Sequence, residues 1–577
     1  MDRGRLVAVV LAGILHSALV AAEDRHVFLN WEVSYSVRSP LGVSKRVIAI
    51  NGRLPGPLLN LTTNDVAHVN VVNTLDEPFL LTWYVHVRAP EQFSWLDSSS
   101  IVCRNGLQMR RNSWNDGVAG TNCAIQPGEN WTYVFQAKDE IGSFFYRPSL
   151  GLHAAAGGHG PIRVNNRPVI DVPFPQPDGE FDVLIGDWYN MDAKEMKERL
   201  DRGRGLPPPD GILINGLGPY EAEVTFKAGR TYRLRVSNVG TRTSLNFRLQ
   251  GHKLLLVEAE GTYTLQKHYA SLDVHPGQSV SVLVAADQAP KAYYMVVSSL
   301  FVLPEIFGVA TVLYAGSGEQ PPSGDAPLDD RSSHTNYNRS MEQAMSIRMN
   351  LTSGAARPNP QGSFHYGEIN VTRTLLLRND ESDIGGRRRC TVNGVAFANA
   401  GTPLKLADYF RIAGVFKVVS GRPERRNASL GTTVIDASYR DYVQIVFENR
   451  LPSMQTWHLD GHSFFVVGMA WGKWSPDARS TYNLVDAMYR STVQVYPTSW
   501  TAVLVYLDNE GMWNLRSQDV EKRYLGQELY VRVRQGDSEV PDPRDELPMP
   551  SNALLCGKAT RLKSWYNYKL GLGPGPA

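Results

Sequence analysis

The chain has 577 residues, with 59 Lys and Arg against 57 Asp and Glu and a formal net charge of +2. That length suffices for about three domains, and so balanced a composition gives no electrostatic footprint for a nucleic-acid partner. No phosphate-binding glycine loop, nucleophile elbow or zinc motif occurs, which removes the common phosphotransfer and hydrolase signatures.

The chain opens with Arg3 and Arg5, an apolar run from Leu6 to Val20, and Ala21-Ala22 before Glu23-Asp24-Arg25. This pattern predicts a cleavable secretory signal over residues 1–22, too short and wrongly flanked for a membrane anchor. Six Asn-x-Ser/Thr sequons, at Asn60, Asn130, Asn338, Asn350, Asn370 and Asn427, agree with a secreted glycoprotein. The polar, Gly/Pro-rich stretch 561–577 reads as a flexible tail and lacks the hydrophobic end of a lipid-anchor signal. The expectation is a soluble extracellular protein of the apoplast or cell wall. Runs such as Arg110-Arg111, Arg387-Arg388-Arg389 and Arg425-Arg426 could meet acidic wall polysaccharide, but solvated basic turns are the simpler reading.

Past the signal, Val27, Leu29, Trp31, Val33, Tyr35 and Val37 alternate with polar residues, the period of a half-buried strand. Tyr232, Leu234 and Val236 alternate in the same way with Arg233, Arg235 and Ser237. One phrase occurs three times, as Ile50-Asn51-Gly52, Ile214-Asn215-Gly216 and Val392-Asn393-Gly394. Each is followed by a β-rich segment ending in asparagine, at Asn73, Asn238 and Asn449. A threefold repeat follows. Short strands with many Gly, Pro and Asn turns predict an all-β chain of sandwiches or Greek-key barrels. The predicted domains are 23–167, 181–320 and 345–560, with Pro-rich linkers at Pro168 to Pro177 and Pro321 to Pro327.

The repeat exposes an interruption. From the terminal asparagine to the next motif glycine there are 13 residues in the second domain, Asn238 to Gly251, and 12 in the third, Asn449 to Gly461. In the first domain the interval from Asn73 to Gly106 is 33, and excising the 21 residues from Tyr84 to Arg104 restores 12. A core strand must eject such a segment as a loop. Its ends can be encoded by splice-site sequences, which fits a retained intron; a genuine surface loop is the alternative.

Near the C-terminal end the chain reads Asp508-Asn509-Glu510-Gly511-Met512-Trp513-Asn514-Leu515-Arg516. This frame resembles the blue-copper signature of multicopper oxidases, with Asn514, Leu515 and Arg516 where the family carries His-Cys-His. Three further segments resemble the family's other ligand motifs. They are Thr82-Trp83 resumed at Asn105-Gly106, Phe144 to Gly151 with Arg147 and Ser149 at histidine positions, and Gln455-Thr456-Trp457-His458-Leu459-Asp460-Gly461-His462. Gln455 and Asp460 replace ligands in the last, and Val520 and Leu525 stand at the final histidine and axial methionine positions. Of the family's ten histidines and one cysteine, His458 alone survives, His462 matching a position that binds no metal. Together with Ile50 to Pro57 and Gly120-Thr121-Asn122-Cys123, the pattern is similar to the ascorbate-oxidase-like plant branch called Skewed-similar, which includes pollen-specific L-ascorbate oxidase homologues. The similarity runs from about Val27 to about Cys556.

The resemblance implies three consecutive cupredoxin-like domains, a Cys123–Cys556 disulfide chosen from the three pairings that four cysteines allow, and a small buried thiol at Cys390. Copper is implied by the family alone, and no cofactor is expected, because a blue-copper centre needs a soft thiolate that Leu515 cannot supply. In place of copper, Arg147, Asp460 and Arg516 are expected to form a buried, hydrogen-bonded cluster with Thr82, Asn105, Ser149 and His458. Two arginines against one aspartate leave an excess positive charge able to attract an anion. The functional expectation is a structural or binding role in cell expansion or pollen tube growth, with an unknown extracellular ligand such as a wall polysaccharide. The alternative is a copper-binding oxidoreductase retaining one unusual copper near His458. His153 and His159 are expected on a surface loop, and His252 as a structural counterpart of His462.

Overall fold

The computed structural model describes residues 24–84, 109, 111–137, 140–167, 171–317, 335–352, 366–424, 427–535 and 546–562. The expected signal 1–22, His86, Cys103, Asn105, Arg110, Arg425-Arg426, Pro321 to Pro327 and the tail from 563 onward lie outside the described residues.

Six sheets pair into three two-sheet units. In the first unit, His26–Arg38 lies between Lys45–Ile50 and Val66–Asn73, with Asn130–Gln136 beyond. The companion sheet runs Leu59–Thr62, Gly160–Asn165, Gly142–Pro148, Leu81–Trp83. Trp31 from one sheet meets Tyr146 and Trp83 from the other, with ring centroids 4.6 and 5.7 Å away. The second unit joins a six-stranded and a five-stranded sheet, and the third an eight-stranded and a six-stranded sheet. In every unit the opening strand runs parallel to a later one: His26–Arg38 with Val66–Asn73, Gly179–Trp188 with Thr231–Asn238, Arg373–Asp383 with Tyr442–Asn449. Parallel neighbours cannot be closed by a hairpin, so the chain must cross over, which gives the all-β, cupredoxin-like Greek-key arrangement.

The repeated phrase is a repeated turn. Asn51 and Gly52 have φ of 50° and 68°, Asn215 and Gly216 52° and 74°, Asn393 and Gly394 53° and 81°. Both central residues are left-handed, which Asn-Gly accepts at least cost and which matches the strand twist. Each asparagine also ties the turn to the opening strand of its unit. Its amide oxygen accepts from the backbone N–H of Glu32, Leu184 or Arg378 at 2.7 to 2.8 Å. The terminal asparagines repeat as well: the side-chain amides of Asn73, Asn238 and Asn449 each donate to two or more buried carbonyls.

One alternation turns out differently from its sequence pattern. Thr231–Asn238 is buried on both faces, because Arg233 and Arg235 are taken up by buried ion pairs and, for Arg235, by a bond to the first domain. Arg233 pairs with Glu258 of its own domain at 2.5 Å, and Arg235 bonds Glu180 of that domain and Ser143 of the first domain at 2.9 Å each. The outer domains are joined more tightly still. One apolar cluster runs through both, including Trp83, Trp457, Trp513 and Leu515, and Cys123 is disulfide-bonded to Cys556 across 433 residues. Gly120 N–H donates to the Tyr530 hydroxyl at 2.9 Å. These contacts set Leu81–Trp83 and Gly142–Pro148 of the first domain against Gln455–Leu459 and Gly511–Ser517 of the third.

Candidate functional site

Thr82, Arg147, Gln455, His458, Asn514, Leu515 and Arg516, which stand at the family's ligand positions, lie on paired strands that meet at this interface, and Ser149 and Asp460 follow directly after two of those strands. Thr82 lies opposite Arg147 and Trp83 opposite Tyr146; His458 lies opposite Arg516 and Leu459 opposite Leu515. Arg516 in turn faces Glu528. All of these strands are buried over their full length.

Asp460 is the hub. Its carboxylate accepts from Arg516 Nη1 and lies 3.0 Å from His458 Nε2. Burial alone would raise its pKa, but the Arg516 charge and the His458 hydrogen bond outweigh that and hold the carboxyl down at about 2. Arg516 is pushed further above its usual range despite burial, chiefly by Asp460. The same arginine nitrogen donates to Asn514 Oδ1 at 2.9 Å, and Asn514 Nδ2 donates to Glu528 Oε1 at 2.7 Å. The other ring nitrogen of His458 lies 2.8 Å from the Thr492 hydroxyl. Both imidazole nitrogens are engaged, and burial lowers the ring's basicity.

The expected cluster is corrected in three places. Arg147 is fully buried, yet none of its three guanidinium nitrogens has a hydrogen-bond partner; it lies over the Tyr84 ring at 5.3 Å instead of on Asp460. Ser149 spends its hydroxyl on the Gly117 carbonyl at 2.6 Å and does not join the network. Thr82 is buried with its hydroxyl unpartnered. These differences share a cause: strand pairing fixes where each side chain starts, and a carboxylate already used by Arg516 and His458 has no free edge for a second guanidinium.

A fourth correction concerns Tyr84, read from the sequence as the first residue of the ejected segment. It continues the strand, its N–H donating to Phe145 O at 2.9 Å, and its ring stacks on Phe145 at 4.3 Å. Its hydroxyl donates to Gln518 of the third domain, and the His458 ring lies 4.7 Å away. Tyr84 therefore takes the place beside Trp83 that the spliced register gave to Asn105. Sequence reasoning also missed Asp116, a fully buried carboxyl from the first domain. Burial, and next to it the Asp460 charge, raise Asp116 well above the carboxylate range, which favours its neutral form beside Asp460. Nothing in Asn115-Asp116-Gly117 marks it in the sequence; only the third domain brings Asp460 to it. Reading the chain straight on from Trp83 would have found Tyr84.

At the blue-copper position, Leu515 is fully buried in the apolar cluster of the outer domains. Val520 and Leu525 pack with Cys390, a free buried thiol that burial pushes far above its usual range. Gln455 is buried with both amide atoms unpartnered. Copper needs several imidazoles, a thiolate or carboxylates with open lone pairs. The donors here are guanidinium N–H groups, amides and one doubly engaged imidazole. Among the described residues no three His, Cys, Asp or Glu side chains are placed to hold a metal ion. The residues present do not fit copper.

His252 and His462 are packed within their domains. His252 bonds the Tyr314 hydroxyl and the Gln250 carbonyl at 2.7 Å each, and His462 packs edge-on against Trp513. His153 and His159 are half-buried, not on an exposed loop as expected. His153 pairs with Glu77 at 3.3 Å, while burial and the nearby Arg147 charge bring His159 down to about 4. Arg388 likewise is not a free basic turn, since it pairs with Glu381 and Glu521. Of the sequon asparagines, Asn60, Asn130, Asn338, Asn370 and Asn427 are exposed and Asn350 is half-buried.

Family models described as multicopper oxidase match residues 32–93 and 85–169, 179–315, and 401–539. The first-domain match is split at the interrupted segment. The chain is 47% identical to "Monocopper oxidase-like protein SKS1" of Arabidopsis thaliana, covering 97% of this chain and 93% of that one. It is 46% identical to "L-ascorbate oxidase homolog" of Nicotiana tabacum, covering 99% and 100%. Among solved structures it is similar to Fet3p, described as a multicopper oxidase that functions in iron import, with a TM-score of 0.74, 16% identity and coverage of 95% and 96%.

Proposed function

This chain belongs to the multicopper oxidase family, and from what its ligand positions now hold we propose that it is a secreted plant extracellular glycoprotein that keeps the three-domain scaffold without the oxidase chemistry. Its role is structural or binding, in cell expansion or pollen tube growth. The observation that carries this reading is Leu515, sealed in the apolar core where a blue-copper thiolate would have to stand. Electron entry from ascorbate or a phenol requires a redox centre there. At the oxygen-reducing end the positions hold Arg147, Ser149, Asp460, Asn514 and Arg516, a set whose two arginines outnumber its one carboxylate and so oppose a cation.

Secretion is supported by the sequence pattern of residues 1–22 and by the exposure of five of the six sequon asparagines. No helix among the described residues is long and apolar enough to cross a membrane. A wall polysaccharide is the partner class favoured by one surface of the first domain. There Phe28 is 72% exposed and stacks on His68 at 4.5 Å, beside an amide ladder in which Asn70 donates to Asn30 at 2.7 Å. A flat aromatic face next to amide donors and acceptors suits a sugar ring. The single-copper alternative rests on His458, whose two nitrogens face Asp460 and Thr492. Metal analysis of the secreted, purified protein, paired with oxygen uptake on ascorbate and on a phenol, tests the proposal. Copper well below one per chain and no turnover are expected; stoichiometric copper with turnover overturns it.

A further inference from the structure

The interface that lacks copper ligands has an unmet requirement of the opposite sign. Arg147 is 1% exposed and Nε, Nη1 and Nη2 all lack partners. Arg516 is 0% exposed and, beyond its bonds through Nη1, leaves Nε and Nη2 unpartnered. The two guanidinium carbons lie 5.3 and 5.4 Å from the centre of one ring, that of Tyr84. Gln518, which accepts the Tyr84 hydroxyl, leaves its amide Nε2 unpartnered too, and the Thr82 hydroxyl opposite Arg147 is unpartnered. Every guanidinium and amide atom in this set is a donor. Buried donors without acceptors are rare, and a guanidinium left that way costs several kcal/mol.

Three of the nearby carboxylates are already engaged, and burial favours the neutral form of a fourth, Asp116. Asp460 serves Arg516 and His458. Glu528 serves Asn514 and Arg523. Asp187 of the middle domain accepts from the backbone of Thr241, Arg242 and Thr243 and from the Thr243 hydroxyl. Burial, followed by the like charges of Arg523 and Arg516, depresses Arg147.

We infer that Arg147 and Arg516, with Gln518 and Thr82, form a buried anion site at the junction of the outer domains that takes a small monovalent anion of chloride size. The donor chemistry excludes a cation. Arg147, Arg516, Thr82 and Gln518 are all fully buried, which favours a small ligand over a large one. Water can satisfy the N–H groups, but it cannot neutralise charge in a low-dielectric interior. The site rests on the copper-free reading of the same interface, and the test separates the two.

Crystals of the full-length secreted protein, soaked in bromide, are measured at the bromine and copper absorption edges. A bromide peak between the two guanidinium groups, with none at the copper edge, is expected. In solution, the thermal midpoint should rise saturably as chloride replaces gluconate at fixed ionic strength, and Arg147→Met should abolish that rise. Should Arg147→Met fail to fold, the bromide peak in the unmodified protein decides. No bromide peak together with a chloride-independent midpoint means that water fills the space and overturns the anion site while the copper-free reading stands. A peak at the copper edge there overturns both.

Discussion

Replacing Asp460 with alanine strips Arg516 of the carboxylate it is ion-paired to and His458 of its carboxylate partner, all three side chains being at most 2% exposed. Removing one partner of a buried pair costs about 3–5 kcal/mol, because the uncompensated charge stays out of water. Within a cooperative unit of about 150–250 residues that lowers the unfolding midpoint by roughly 6–20 °C. A surface substitution shifts stability by less than about 0.5 kcal/mol. Asp460→Asn keeps the volume and one acceptor oxygen, and should fall between wild type and alanine. The decisive comparison is the double variant Asp460→Ala with Arg516→Met, which removes the stranded cation and should be more stable than Asp460→Ala alone. Calorimetry and denaturant titration followed by tryptophan fluorescence read the effect. A midpoint for Asp460→Ala no lower than that of a surface control, or a double variant no better than the single, refutes the charge network.

Asp116→Asn tests the protonated carboxyl. Its folded-state pKa lies above the unfolded one, so it contributes stability that is present below about pH 4 and lost as pH rises through the folded value. Asp460 runs the other way, with a contribution present above about pH 4 that is lost as pH falls towards 2. Asparagine mimics the protonated acid, so the variant should gain stability at neutral pH and flatten the curve there; a profile parallel to wild type would show that Asp116 is ionised. Tyr84 bears on the interrupted segment. If residues 84–104 belong to the mature protein, peptide mapping will recover the tryptic fragment from Ala89 to Arg104, and Tyr84→Ala will destabilise the joint between the outer domains. A peptide joining Trp83 directly to Asn105 would show instead that the segment is spliced out.

Much of this architecture was legible in the residues because its signals are local. Asn-Gly at three equivalent places demands the same left-handed turn, and each turn's asparagine then finds the same backbone partner. The positions from Asn514 to Arg516 announced the loss of the thiolate without any coordinates. Register was harder. The count from Asn73 to Gly106 located an interruption, yet it assigned Tyr84 to the wrong side of it, because counting cannot tell which residue continues a strand.

The sequence by itself determined the three β-sandwich units, their shared turns and the chemical character of the site, since turn, strand period and ligand type are properties of a few adjacent residues. Only the tertiary structure decided the pairings inside that site. Tyr84 meets Gln518 across 434 residues, Asp116 meets Asp460 from another domain, and Arg147 is left without the carboxylate it was expected to hold. Charge complementarity in a buried interface depends on separations of a few ångströms between chain-distant groups, and no local pattern encodes them.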